Sequence, residues 1–169
     1  GDNYSHEWEE EATRRGLPNF KTSPDALKAL TTPKAFTLFE KYGVLNRMEL
    51  ESRYIIRVEK YIKELDIEAR AMYDMVMTQI YPSAIKYQKV MADSIKAVAS
   101  VTGEESVPAS QKDYLKEFVS LTGKMKMAAN DLKSAIAKSE CIEHEEERAA
   151  FICSTVKEAM NALRACSDE

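Results

Sequence analysis

Apolar side chains recur at alternating steps of three and four residues along most of the chain, a pattern typical of packed amphipathic helices. The first stripe predicts one long helix over about residues 47–101. Pro82 lies inside this helix and removes a backbone donor, so we expect a kink there. The stripe comprises Ile55, Val58, Ile62, Leu65, Ala69, Met72, Val76, Ala84, Tyr87, Met91, Ile95 and Val98.

Two further stripes with the same spacing predict two shorter helices. A loop is expected over 103–109, a new helix at Ser110 with Asp113, and a break near Ser139. These helices either pair with the two halves of the long helix, or lie side by side over one half and leave the other half for a partner. Their stripes comprise Leu115, Phe118, Thr122, Met125, Ala129, Leu132 and Ile136, then Ala149, Ile152, Val156, Ala159, Leu163 and Cys166.

Residues 1–46, called here the leader, follow a different pattern of short helices with strong stop signals. Ser5 is a candidate cap for a helix that stops at Gly16. The pairs Ser23-Pro24 and Thr32-Pro33 place a capping hydroxyl before a proline at the first helical position, and the second of these helices ends at Gly43. Asn46 and Glu49 have capping-box spacing at the start of the long helix. The expected apolar anchors of the leader are Trp8, Phe20, Phe36 and Phe39.

Composition favours helix over sheet, and together with the stripes it predicts an all-α fold. The expected architecture is the leader followed by an antiparallel helical bundle over 47–169, built on the long Pro-kinked helix of about 47–101. The 169 residues include only 5 Gly, which argues against the Gly-rich phosphate loops of Rossmann and P-loop proteins. The net charge of −4, with both signs mixed along the chain, argues against nucleic acid as a partner. No segment approaches the roughly 20 apolar residues of a membrane helix. Cys141, Cys153 and Cys166 are expected to be small buried apolar residues in a reduced cytoplasm.

A search for catalytic chemistry identifies no catalytic, cofactor-binding or metal-binding residue. Cys141 and His144 have the spacing of two metal ligands, but a structural zinc site needs four. The Glu-x-x-His motif of a di-iron bundle is missing around both His6 and His144. The acidic run that includes Glu143 and Glu145 is interpreted as a solvated helix start, where negative charge is favourable.

Several strings resemble the segment that follows the catalytic core in type III glutamine synthetases. The resemblance runs in order along nearly the whole chain. It departs around 104–110 and where Lys157-Glu158 replaces a more typical apolar-proline pair. Its main strings are Gly1-Asp2-Asn3-Tyr4-Ser5-His6-Glu7-Trp8, Arg15-Gly16-Leu17-Pro18-Asn19, Leu38-Phe39-Glu40-Lys41-Tyr42-Gly43, Glu49-Leu50-Glu51-Ser52-Arg53-Tyr54, Gln79-Ile80-Tyr81-Pro82 and Ala159-Met160-Asn161-Ala162-Leu163-Arg164.

This resemblance implies the carboxy-terminal accessory or assembly region of an ATP-dependent ligase that joins ammonia to glutamate. It implies ATP and Mg or Mn for the parent enzyme, with none of their ligands in this chain. The implied partners are the rest of the parent subunit and the neighbouring subunits of a ring oligomer. A free-standing helical interaction module and a small-molecule-binding bundle remain open as alternatives.

Overall fold

The computed structural model describes residues 5–103 and 107–168, and within those ranges the chain forms helices joined by turns, with no β-strand. Residues 1–4, 104–106 and 169 lie outside this description. They include residues 1–4 of the first string that resembles type III glutamine synthetases, and residues 104–106 of the loop expected over 103–109. The chain forms two compact units, residues 1–61 and residues 62–169, and each is described by itself.

The first unit contains three short helices whose starts follow the capping signals. Helix α1 (His6–Arg14) is capped by Ser5, whose hydroxyl accepts a hydrogen bond from the backbone N–H of Trp8. Thr32 caps α3 (Pro33–Lys41) in the same way. Helix α2 (Ser23–Leu27) corrects the prediction by one residue, because its cap is Thr22 and Ser23 is already helical. A 3-10 turn over Lys28–Thr31 joins α2 to α3.

The capping box at the start of α4 (Arg47–Met75) is confirmed. The N–H of Glu49 donates to Asn46 Oδ1 at 2.9 Å, and the N–H of Asn46 donates to Glu49 Oε2 at 2.7 Å. The guanidinium of Arg47 lies over the ring of Phe36, 4.8 Å from its centroid, so the leader contacts the first turn of α4.

The expected apolar anchors of the leader divide into two groups. Trp8, Phe36 and Phe39 lie on short helices and are half-buried. Phe20 lies between α1 and α2 with half of its surface exposed, and its role as an anchor stays a prediction.

The long helix is confirmed as an unbroken run of helical turns from Arg47 to Thr102. It consists of α4, a π-helical turn over Val76–Ile80, and α5 (Tyr81–Thr102). The π turn lies immediately before Pro82, where a kink was expected, and its closing bond runs from the N–H of Tyr81 to the carbonyl of Val76. A π turn is one way in which a helix accommodates a local interruption of its hydrogen bonds.

The buried stripe of α4 follows the predicted positions except at its beginning. Val58, Ile62, Ala69 and Val76 are buried, as expected. Ile55 was wrongly placed in the stripe and is 47% exposed, and Leu50 and Tyr54 are buried instead. Buried residues recur every four positions over 50–62, and the heptad spacing applies only from Ile62 onward.

The second unit is completed by α6 (Ala109–Glu140) and by α7 (Glu145–Phe151), a second π turn (Ile152–Val156) and α8 (Lys157–Asp168). The residue before α6 is Pro108, so Ser110 lies in the first turn and does not cap it. The predicted stripes are confirmed at most positions, with Ala135, Ser139 and Met160 added to the buried set. The exceptions are half-buried and lie at the ends of the stripes or, in one case, beside Met160, namely Leu115, Phe118, Ala159 and Cys166. The fully buried large side chains include Leu132, Ile152, Val156 and Leu163.

Side-chain contacts show that α6 runs antiparallel to the long helix. Arg70 bonds to Glu140 at 2.5 Å, and the carboxylate of Asp66, followed by that of Glu140, raises the pKa of Arg70. Lys133 lies over the ring of Tyr73, Lys126 over that of Tyr81, and Tyr87 meets Phe118. Residue numbers therefore increase along α4 and α5 while those of the facing residues on α6 decrease.

Candidate interaction surface

Only part of the long helix is covered by a third helix. Residues of α8, namely Met160, Arg164, Ser167 and Asp168, share a groove with Met75, Val76 and Ile80. The end of α8 therefore lies beside the π turn. Helix α5 and the first part of α6 continue beyond this point as a two-helix hairpin, and no residue of α5 is buried. The structure combines the two predicted arrangements, because α6 lies along both parts of the long helix while α7 and α8 lie along one.

The hairpin of α5 and α6 carries exposed apolar side chains on both of its helices. We define the hairpin flank as Tyr87 and Val90 on α5 with Tyr114 and Leu121 on α6. Tyr87, Val90 and Tyr114 are 46%, 63% and 51% exposed. Between the helices lies a groove of about 290 Å³, lined by Tyr87, Val90, Met91, Ser94, Ile95, Gln111 and Tyr114.

Aromatic contacts hold the base of the hairpin flank. The rings of Tyr87 and Phe118 meet edge to face, with centroids 5.2 Å apart and planes at 76°. Tyr114 and Phe118 lie 6.3 Å apart with a tilt of 41°. Edge-to-face pairs are stabilising beyond the area they bury, so these rings order the flank without a third helix over it.

Charged residues border the hairpin flank on both helices. Lys86 and Asp93 lie one turn before and after Val90, and Glu117 and Lys124 lie one turn before and after Leu121. Glu117 and Lys124 also line an adjoining groove with Tyr114 and Leu121. Within the part of the chain that the structure describes, none of these four charges forms an ion pair with another side chain.

The predicted stripes mark the packed face of the hairpin and leave out most of its flank. Val90, Tyr114 and Leu121 fall outside the predicted stripes, and Tyr87, which was assigned to a stripe, is largely exposed. The available signal was the pattern around the stripes. On both helices an apolar residue has one charged residue four positions before it and another three positions after it. Charges that border an apolar position in this way are also common at coiled-coil interfaces.

The structure does not bring the candidate metal ligands together. Cys141 and His144 are both exposed, and in residues 5–103 and 107–168 no group of three His, Cys, Asp or Glu side chains could hold a metal ion. The exposure of Cys141 corrects its assignment as a small buried residue; it caps the end of α6, whereas Cys153 and Cys166 are half-buried. The acidic run is confirmed as the solvated first turn of α7.

None of the helices in the described ranges is long and apolar enough to cross a membrane.

Comparison with known proteins shows which family the chain resembles. The profile of the family described as glutamine synthetase C-terminal domain matches residues 1–99. The chain belongs to the glutamine synthetase C-terminal domain family. The match covers the leader, α4 and most of α5, so it includes the α5 side of the hairpin flank.

Relatives of the family extend the similarity over the remaining helices. A type-3 glutamine synthetase of Dictyostelium discoideum is 33% identical over 99% of this chain. A glutamine synthetase of Butyrivibrio fibrisolvens is 31% identical over 100% of it, and one of Bacteroides fragilis is 29% identical over 97%. The chain spans only about a quarter of each relative, 23%, 24% and 23% respectively.

Proposed function

We propose that this chain is the accessory and assembly domain of a glutamine synthetase and has no catalytic activity by itself. The observation that carries the proposal is the family membership of a chain that spans about a quarter of its relatives. The exposed apolar flank of the hairpin supports an assembly role, because exposed apolar patches often mark interaction sites.

In this proposal the parent enzyme joins ammonia to glutamate in the cytoplasm with ATP and Mg or Mn. The described residues of this chain offer no fitting set of metal ligands, so we assign metal and nucleotide binding to the rest of the parent subunit. Residues 1–46 would link that catalytic core to the bundle of residues 47–169. The remaining partners would be neighbouring subunits of a ring oligomer.

An activity assay tests the division of labour. The chain of 169 residues and the full-length parent are each supplied with glutamate, ATP, Mg or Mn, and ammonia or hydroxylamine. We expect glutamine or γ-glutamyl hydroxamate from the parent and none above background from the chain. Turnover by the chain itself would contradict the proposal.

The alternative is a free-standing helical interaction module, which the same exposed flank also favours. The sequence encoded upstream of Gly1 separates the two. A β-rich region that bears carboxylate ligands supports the ligase, and any other context supports the module.

A further inference from the structure

We propose that the hairpin flank binds the same flank of a second copy of this chain, antiparallel and about a two-fold axis, so that four helices pack together. This proposal deepens the assembly role proposed above, on which it rests, by naming the partner of that surface. It follows from the exposure of the flank, its position in the bundle and the order of the charges along it.

The position of the flank in the bundle leaves room for further helices to pack against it. Beside the π turn, residues of α8 share a groove with Met75, Val76 and Ile80, and Val76 is buried. Farther along the hairpin, Tyr87, Val90 and Tyr114 are exposed and Leu121 is half-buried. A pair of helices from another molecule would extend the same packing.

The charges that border the flank are arranged with the two signs at opposite ends. On α5 the order is Lys86, Val90, Asp93, and on α6 it is Glu117, Leu121, Lys124. Tyr87 meets Phe118 and Lys126 lies over Tyr81, so the antiparallel register sets these residues side by side. From the π turn towards Thr102, the order along the flank is Lys124, Lys86, Glu117 and Asp93.

A two-fold axis across the helices reverses this order in the partner. The lysine end of one flank then lies against the acidic end of the other, and the reverse contact is the same by symmetry. A parallel superposition along the helices would instead bring like-charged ends to the same level. The charge order therefore favours the antiparallel pair and gives it a register.

Charge reversal with mixing tests this pairing. Variant A carries Lys86→Glu and Lys124→Glu, and variant B carries Asp93→Lys and Glu117→Lys. Analytical ultracentrifugation at low ionic strength measures association, and circular dichroism verifies that helix content is retained. We expect the unmodified chain to form dimers and each variant alone to show a dissociation constant raised about tenfold or more. An equimolar mixture of A and B is expected to recover association.

Two control variants separate the flank from general charge and surface effects. Lys89→Glu with Lys96→Glu makes the same change of charge as variant A at two lysines of α5 outside the four bordering charges, and it is expected to weaken association far less than variant A. Val90→Asp is expected to abolish association, whereas Val119→Asp, at a residue of α6 that is 48% exposed and outside the flank, is not.

The outcomes distinguish this proposal from the assembly role itself. A chain that remains monomeric, a mixture of A and B that does not associate, or an equal loss in the control variants overturns the pairing. An upstream sequence without a ligase core overturns the proposed function and leaves the pairing to stand on the mixing result.

Discussion

At the scale of single residues, hydroxyl and amide side chains cap the starts of α1 to α4. Ser5, Thr22, Thr32 and Asn46 each accept a hydrogen bond from the N–H three residues later. The sequence pattern identified three of these caps. For α2 it indicated Ser23, because a capping hydroxyl usually stands directly before a proline at the first helical position. The actual cap, Thr22, stands two residues before Pro24.

One carboxyl group in α1 gives a pH-dependent prediction. The guanidinium of Arg14, followed by that of Arg15, lowers the pKa of Glu11 from its ordinary value of 4.5, with N–O distances of 2.7 and 2.6 Å. A lowered pKa means that the contribution of Glu11 to stability is complete above the ordinary pKa. It is lost as the pH falls through the lowered one. Glu11→Gln is expected to remove this part of the acid dependence of α1 helicity, measured by NMR.

A second variant of α1 isolates the cause. Arg14→Gln keeps the Glu11 carboxyl and removes the larger of the two stabilising partners. The pKa of Glu11, followed by its side-chain carbon shift, is expected to rise towards the ordinary value. An unchanged pKa would contradict the assignment of the shift to Arg14.

At the scale of elements, two π turns interrupt helices that the pattern described as continuous. The first precedes Pro82, and the second, Ile152–Val156, lies within the third predicted helix. Pro82 gave a signal in the sequence because proline lacks a donor. No comparable signal marks the second turn, where Ile152 and Val156 stay buried at a spacing of four that fits an ordinary helix.

Gly123 gives a prediction for α6. It lies exposed inside this helix, and a Cβ atom added to it would meet nothing within 4 Å. Gly123→Ala is therefore expected to raise the free energy of unfolding by up to about 1 kcal/mol, because alanine loses less backbone entropy in a helix. Urea denaturation measures the change.

The matched control is a glycine whose backbone conformation disfavours alanine. Gly16 follows α1 with φ of +70°, in the left-handed region. Gly16→Ala is expected to destabilise the protein although its Cβ would also meet open space. Equal effects at both positions would show that backbone conformation is not the deciding factor.

At the scale of the whole molecule, one core supports the three-helix section of the second unit. Leu132, with 0% exposure, lies in the second half of α6. Leu132→Ala is expected to lower the free energy of unfolding by about 2–5 kcal/mol, because it leaves a cavity in packed surroundings. Val119→Ala on the same helix, 48% exposed, is expected to change it by less than about 0.5 kcal/mol. Thermal or urea unfolding compares the two, and similar losses would contradict the position of this core.

The sequence by itself determined the helical class, the long helix, the buried stripes of α6 and α8, and the family, because these depend on local spacing and on long strings. It did not determine which positions at the edges of a stripe are covered. Ile55 is exposed and Tyr54 buried, while Tyr87 and Val90 stay open.

Only the tertiary structure decided that α8 ends beside the π turn and leaves the hairpin flank uncovered. The physical reason is that burial depends on which neighbour is present at each level of the bundle. A periodic pattern fixes the direction in which a side chain points and is independent of that neighbour.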